Sequence, residues 1–193
     1  MAAETQKDSQ KDWAGDAQNA STDGEFKRDT NYIGDRIVAS VTGEEPQPAG
    51  GDVLHWPVQP NRYRLIAARA CPWAHRAVIV RRLLGLEDVI SLGLAGPTHD
   101  KRSWTFDLDP GGVDPVLQIP RLQDAYFKRF PDYPRGITVP ALVEEASGKV
   151  VTNDFNSIVR DFQTEWTEYQ RAGAPNLLPP AEQWEEMEEI NDF

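Results

Sequence analysis

At 193 residues, with 31 Asp and Glu against 20 Lys and Arg, the chain carries a formal charge of -11 and is long enough for one packed domain with appendages. That charge opposes nonspecific attraction to nucleic acid or to an anionic membrane surface, so neither partner is expected. The opening Met1-Ala2-Ala3-Glu4-Thr5-Gln6-Lys7 lacks the apolar core of a secretion signal, and no stretch approaches the roughly 18 consecutive apolar residues of a membrane helix, so a cytoplasmic protein is expected.

Residues 1–59 are polar, poor in aliphatic side chains and rich in turn formers, with Glu44-Glu45-Pro46-Gln47-Pro48-Ala49-Gly50-Gly51 near their end. Such a composition does not bury enough apolar surface to order by itself, and a largely irregular N-terminal arm is expected. Gly24-Glu25-Phe26-Lys27-Arg28 sets one aromatic among charged residues and reads equally as a docking anchor or as plain arm.

The expected folded domain covers residues 60–168. Tyr63-Arg64-Leu65-Ile66-Ala67-Ala68 has the aliphatic content of a strand, and Pro72 then suits a first helical turn, where its missing N–H would have no partner. Trp73, Ala77, Val80 and Leu84 recur at helical spacing, Gly85 supplies a stop, and Val89 to Leu94 reads as the next strand. This is a βαβ unit, whose parallel strands require the crossover helix. After an irregular stretch from Ala95 to Ile137, Thr138 to Val143 and Lys149 to Thr152 read as two antiparallel strands around a Ser147-Gly148 turn. Asn153 and Asp154 are both good N-caps for a helix carrying Ile158, Val159 and Phe162 to about Trp166. The order β-α-β, insertion, β-β-α is α/β and thioredoxin-like. Residues 169–193 read as a linker followed at Pro179-Pro180 by the start of a further helix, with Trp184, Met187 and Ile190 on one side and Glu185, Glu186, Glu188 and Glu189 on its solvated side.

Cys71 is the single cysteine, which excludes an intrachain disulfide and a cysteine-cluster metal site. It is an inert buried thiol, a surface thiol or a nucleophile. At a helix start it faces unpaired backbone N–H groups and the positive end of the helix dipole, both of which favour thiolate over thiol. Cys71-Pro72-Trp73-Ala74 keeps the first cysteine of a Cys-x-x-Cys motif and has Ala74 in place of the second. A mixed disulfide at Cys71 therefore needs an external thiol to resolve it, and the expected chemistry is monothiol exchange. Val139-Pro140 fits the same picture: in thioredoxin-like folds the proline at this strand entry is cis, lies against the active-site helix, and leaves the preceding backbone free to pair with a bound peptide. An ordinary edge proline in the trans form is the alternative.

His75, four residues after Cys71, reads as a thiolate-tuning group or as a solvated or packed side chain. His55 and His99 are too far apart in sequence for metal-ligand spacing, and no metal is expected. Asp109-Pro110-Gly111-Gly112 reads as a turn, because no strand–loop–helix arrangement surrounds it. Tyr126, Phe127, Phe130 and Tyr133 fit a packed insertion helix better than an aromatic substrate pocket.

Ala70-Cys71-Pro72-Trp73-Ala74-His75-Arg76, together with Trp104-Thr105-Phe106, Asp132-Tyr133, Thr138-Val139-Pro140 and Val151-Thr152-Asn153-Asp154, closely resembles the Xi-class glutathione transferases, the glutathionyl-hydroquinone reductases. The resemblance runs from about 24 to 170 and is similar to the branch common in actinobacteria. It implies reductive deglutathionylation of quinols: Cys71 attacks the sulfur of a glutathionyl-hydroquinone, the hydroquinone leaves, and a second glutathione releases the first from Cys71. It also implies that Trp104 lies over the bound peptide, that Val139 beside Pro140 pairs with its backbone, and that Asp154 holds the γ-glutamyl amine. Trp104 also reads as a loop aromatic capping the core, and the Asp154 role is compatible with a simple N-cap. Arg135 is either a carboxylate partner or a solvated turn arginine, since the family's Gly-Arg stands here as Arg135-Gly136. Phe155 occupies the position where the family places a serine that contacts the γ-glutamyl carboxylate. Glutathione or mycothiol is thus the implied thiol, small thiols and quinol conjugates the implied partners, and a homodimer the implied full-length form. Residues 169–193 supply only the beginning of the family's all-helical second domain, so the chain reads as truncated; a noncatalytic thiol-binding domain and an inactive remnant are the alternative functions.

Overall fold

A computed structural model describes residues 31–100 and 102–192. Its first strands depart from the irregular arm expected for residues 1–59. β1 (Arg36–Val38), β2 (Gln47–Gly50) and β3 (Val53–Pro57) form a sheet in the order β1-β3-β2, with β1 parallel and β2 antiparallel to β3. The correction has a physical source in contacts distant in sequence. Ile37 and Trp56 are buried in the main core, Asp161 accepts from the Arg36 side chain and from the Ile37 N–H, and Asp35 accepts from Trp56 Nε1 at 2.7 Å and Leu54 N–H at 3.0 Å. A segment unable to order alone is ordered by the body it lies on. The anchor expected at 24–28 lies outside the described residues.

β4 (Tyr63–Ala68), α1 (Pro72–Leu84) and β5 (Ile90–Ala95) form the expected parallel unit, in register from Tyr63 opposite Ile90 to Ala68 opposite Ala95. Gly85 ends α1 at a φ of 73°, donating back to the last turn, and a side chain there would meet Arg171 carbon atoms at 2.6–2.9 Å. The stretch expected to be irregular after Ala95 contains a short hairpin of β6 (His99–Asp100) and β7 (Ser103–Trp104), a 3-10 turn at Pro110–Gly112 and α2 (Gln123–Arg129). The buried Asp114 carboxylate fixes this insertion by pairing with Arg64 of β4 and accepting from the Val116 and Leu117 N–H groups.

β8 (Ala141–Glu144) and β9 (Lys149–Thr152) complete a four-stranded sheet in the order β5-β4-β8-β9, and α3 (Phe155–Thr164) follows. Because successive strand residues point to opposite faces, Leu65, Leu142 and Val151 pack with Ala77, Val80, Leu84, Ile158 and Phe162 of α1 and α3. Their neighbours Ile66, Val143 and Val150 pack with Phe106, Leu122, Ala125 and Tyr126 on the insertion side. The domain is thus a three-layer thioredoxin-like fold, with Tyr126 and Tyr133 in the core as a packed insertion requires. A 3-10 turn at Thr167–Tyr169 leads through the Pro179-Pro180 pair and a second such turn at Ala181–Gln183 into α4 (Trp184–Asp192). Among the described residues no helix is long and apolar enough to cross a membrane.

Candidate active site

Three chain segments meet where β4 gives way to α1. Cys71 is the N-cap of α1, in extended backbone at φ -98° and ψ 113°, with Pro72 opening the helix. Its N–H donates to Ala68 O at 3.0 Å and its carbonyl accepts from His75 N–H at 3.0 Å, so the backbone on both sides of the thiol is held. The side chain is half-buried and takes no capping hydrogen bond from α1. Instead Sγ lies 3.4 Å from the Val139 carbonyl oxygen, to which the thiol donates. The Val139–Pro140 peptide bond is cis.

The bend carrying Val139 is tied down from two further directions. Tyr126 of α2 donates its hydroxyl to Thr138 O at 2.9 Å, and burial pushes that hydroxyl far above its usual range, keeping it a neutral donor. Asn153, itself buried, donates Nδ2 to Thr138 Oγ1 and accepts from the Ile33 N–H, both at 2.8 Å. The arm, the bend and the start of α3 are therefore joined through one amide side chain. The N-cap task falls to the next residue: Asp154 Oδ1 accepts from Asn156 N–H at 3.1 Å and Ser157 N–H at 3.3 Å, and Oδ2 accepts from Ser157 Oγ at 2.6 Å.

Of the residues singled out in the sequence, the structure brings Cys71, Val139 and Pro140 together directly, and Asp154 adjoins them through Asn153. Trp104, in β7, is half-buried against the same cluster of buried side chains as Cys71, a cluster that includes Val139. Its carbonyl accepts from Leu122 N–H at 3.0 Å, which fixes the hairpin to the insertion. Arg135 donates Nη1 to the Asn31 carbonyl at 3.3 Å, a bond to the arm. His75 is exposed and lines a groove of about 220 Å³ beside α1, with Val78, Ile79, Arg82, Leu92 and Leu94.

Two contributors escape a sequence reading. Asn153 carries no signal distinguishing a bridging amide from an N-cap, since both need the same side chain at a strand–helix junction. Tyr32, in the polar arm, meets Phe155 edge-on with ring centres 5.9 Å apart, and Phe155 meets Trp73 at 6.4 Å. Nothing local marks a contact between residues so far apart in the chain.

Residues 70–165 match the glutathione S-transferase N-terminal domain family, and a glutathione transferase structure from Gordonia bronchialis shares 61% identity at a TM-score of 0.72, over 83% of this chain and 46% of that one. The chain belongs to the glutathione transferase family. Within the glutathione transferases it is similar to the Xi class. The glutathione transferase Xi structure from Phanerochaete chrysosporium shares 31% identity at a TM-score of 0.72, covering 90% of this chain and 52% of that one. The glutathionyl-hydroquinone reductase YqjG of Escherichia coli is 34% identical over 175 residues, 90% of this chain and 51% of that protein, and its structure has been solved with glutathione bound. The chain spans about half the length of the curated glutathione transferases and reductases it matches.

Proposed function

We propose that this chain carries the thiol-exchange half of a glutathionyl-hydroquinone reductase, with Cys71 as nucleophile. The observation that carries the reading is the sulfur of an otherwise cysteine-free chain held 3.4 Å from Val139 O, at the first turn of a helix and beside Pro140. Deprotonated Cys71 attacks the sulfur of a glutathionyl-hydroquinone; an S–S bond forms as the bond from sulfur to the ring carbon breaks. The electron pair stays on that carbon, which takes a proton and leaves as hydroquinone. A second glutathione, as thiolate, then attacks the glutathionyl sulfur, leaving glutathione disulfide and restoring Cys71. The second glutathione's sulfur and the conjugate's sulfur are joined and so oxidised while the ring carbon is reduced, so no metal or further cofactor enters the balance.

The remaining roles are carried over from the resemblance to the Xi class. Val139 offers backbone to a bound peptide as an added strand would, Trp104 covers it from the insertion side, and Asp154 holds the amine of the thiol compound with the lone pairs left after capping α3. Arg135 serves as a carboxylate partner once it exchanges its bond to Asn31. Glutathione or mycothiol is the thiol, and the relatives named for glutathionyl-hydroquinone reduction support the quinol side. The test is release of hydroquinone from its glutathionyl conjugate. Cys71→Ser lowers the rate by at least about 100-fold, the scale expected on removing a covalent nucleophile; equal release by the variant would remove Cys71 from the chemistry.

A further inference from the structure

α1 carries an exposed stripe that the thiol site does not use. His75, Val78, Ile79 and Arg82 stand at i, i+3, i+4 and i+7, so they share one side of the helix, and with Leu92 and Leu94 of β5 they line the groove of about 220 Å³. The floor of the groove is aliphatic. Its rim is cationic: Arg69, just after β4, and Arg82 are exposed and pair with no carboxylate among the described residues. No acidic side chain among the described residues lines the groove, although the chain as a whole carries a formal charge of -11. The groove therefore favours an acidic partner with an apolar side.

α4 has the complementary surface. Trp184, Met187 and Ile190 recur every third residue along one side, with Trp184 46% and Ile190 70% exposed, and Glu185, Glu186 and Glu189 are exposed around them. Trp184 Nε1 donates to Pro179 O at 2.9 Å, which ties the start of the helix to its own linker. α4 packs on the 3-10 turn that precedes it, and on no strand or helix of the domain to a comparable extent. A helix of nine residues is too short to persist on its own hydrogen bonds, so it needs a surface for its apolar side. At about 1.5 Å per residue α4 is about 13 Å long, and the stripe from His75 to Arg82 is about 11 Å. We propose that α4 of one copy docks in the α1–β5 groove of a second copy, its apolar side on Val78, Ile79 and Leu92. Glu186, one turn from Ile190, borders that side and meets Arg82. Each copy carries both parts, so two copies close on each other through a pair of equivalent contacts. The contact uses none of the residues given a part in thiol exchange and stands apart from that reading.

The experiment is sedimentation equilibrium of the native chain and of charge-reversed variants over a range of concentrations. The native chain passes from monomer to dimer as its concentration rises, and less readily at high salt, which screens the cationic rim. Arg82→Glu and Glu186→Arg each raise the dimer dissociation constant by about 10-fold or more, the scale of a like-charge clash at an interface. Both side chains are exposed, so neither change disturbs the core. The chain carrying both changes restores opposite charges across the contact and returns to within about threefold of the native constant. Three results would overturn the proposal: a native chain that stays monomeric, as it would if α4 folded back on its own α1; a dimer that Arg82→Glu leaves unchanged; or a double variant that associates no more tightly than the single ones.

Discussion

Asp154 caps α3, and the proposed function gives the same carboxylate a second task at the site. Its capping bonds to Asn156 and Ser157 are reproducible by an amide, which also accepts at the N-cap, whereas its charge is not. Asp154→Ala is expected to cost about 1 kcal/mol in urea unfolding, and Asp154→Asn only a fraction of that. If the carboxylate also holds an amine, Asp154→Asn slows adduct formation with glutathione disulfide although the fold is kept; an unchanged rate would leave Asp154 a cap alone. Asn153 is a sharper structural case, because its truncation strands the buried Ile33 N–H and frees Thr138. Asn153→Ala should lower stability by about 1–3 kcal/mol, read from the shift in urea midpoint at constant slope.

At the scale of elements, the units legible in sequence are those whose signals are local. Pro72 and Gly85 bracket α1, the aliphatic run of β4 needs no distant partner to be recognised, and Asp154 marks the start of α3. The arm sheet is not legible in that way. Its strands are three to five residues long and its order comes from Asp35, Asp161 and Arg129, none of which signals its partner. Arg129 of α2 donates to the Val150 and Val151 carbonyls and pairs with Asp35, so one guanidinium clamps insertion, main sheet and arm. Arg129→Ala leaves Asp35 buried without its cation and is expected to cost about 3–5 kcal/mol. Limited proteolysis should then cut first between β1 and β3; if cleavage starts elsewhere, the clamp does not hold the arm.

For the whole molecule, the candidate site is half legible: Cys71, Val139 and Pro140 follow from a helix-start cysteine and a strand-entry proline, whereas the contact of Tyr32 with Phe155 arises only when the arm lies on α3. The outer face of α1 adds a property of the chain as it stands. Ile79 is 54% and Leu83 39% exposed, one turn apart, beside the groove that His75 lines. Exposed aliphatics so placed favour self-association, and Ile79→Lys with Leu83→Lys should raise the concentration at which sedimentation shows a single small species. Identical profiles for the two proteins would exclude that face as the cause.

Exchange at Cys71 is measured most directly by the intact mass of the native protein after incubation with a low-molecular-weight disulfide and again after addition of the matching free thiol. One mixed-disulfide adduct, located on Cys71, formed without denaturant and removed by the second thiol, is the expected result. An adduct that forms only once the chain is unfolded, or one that the second thiol does not release, would contradict it.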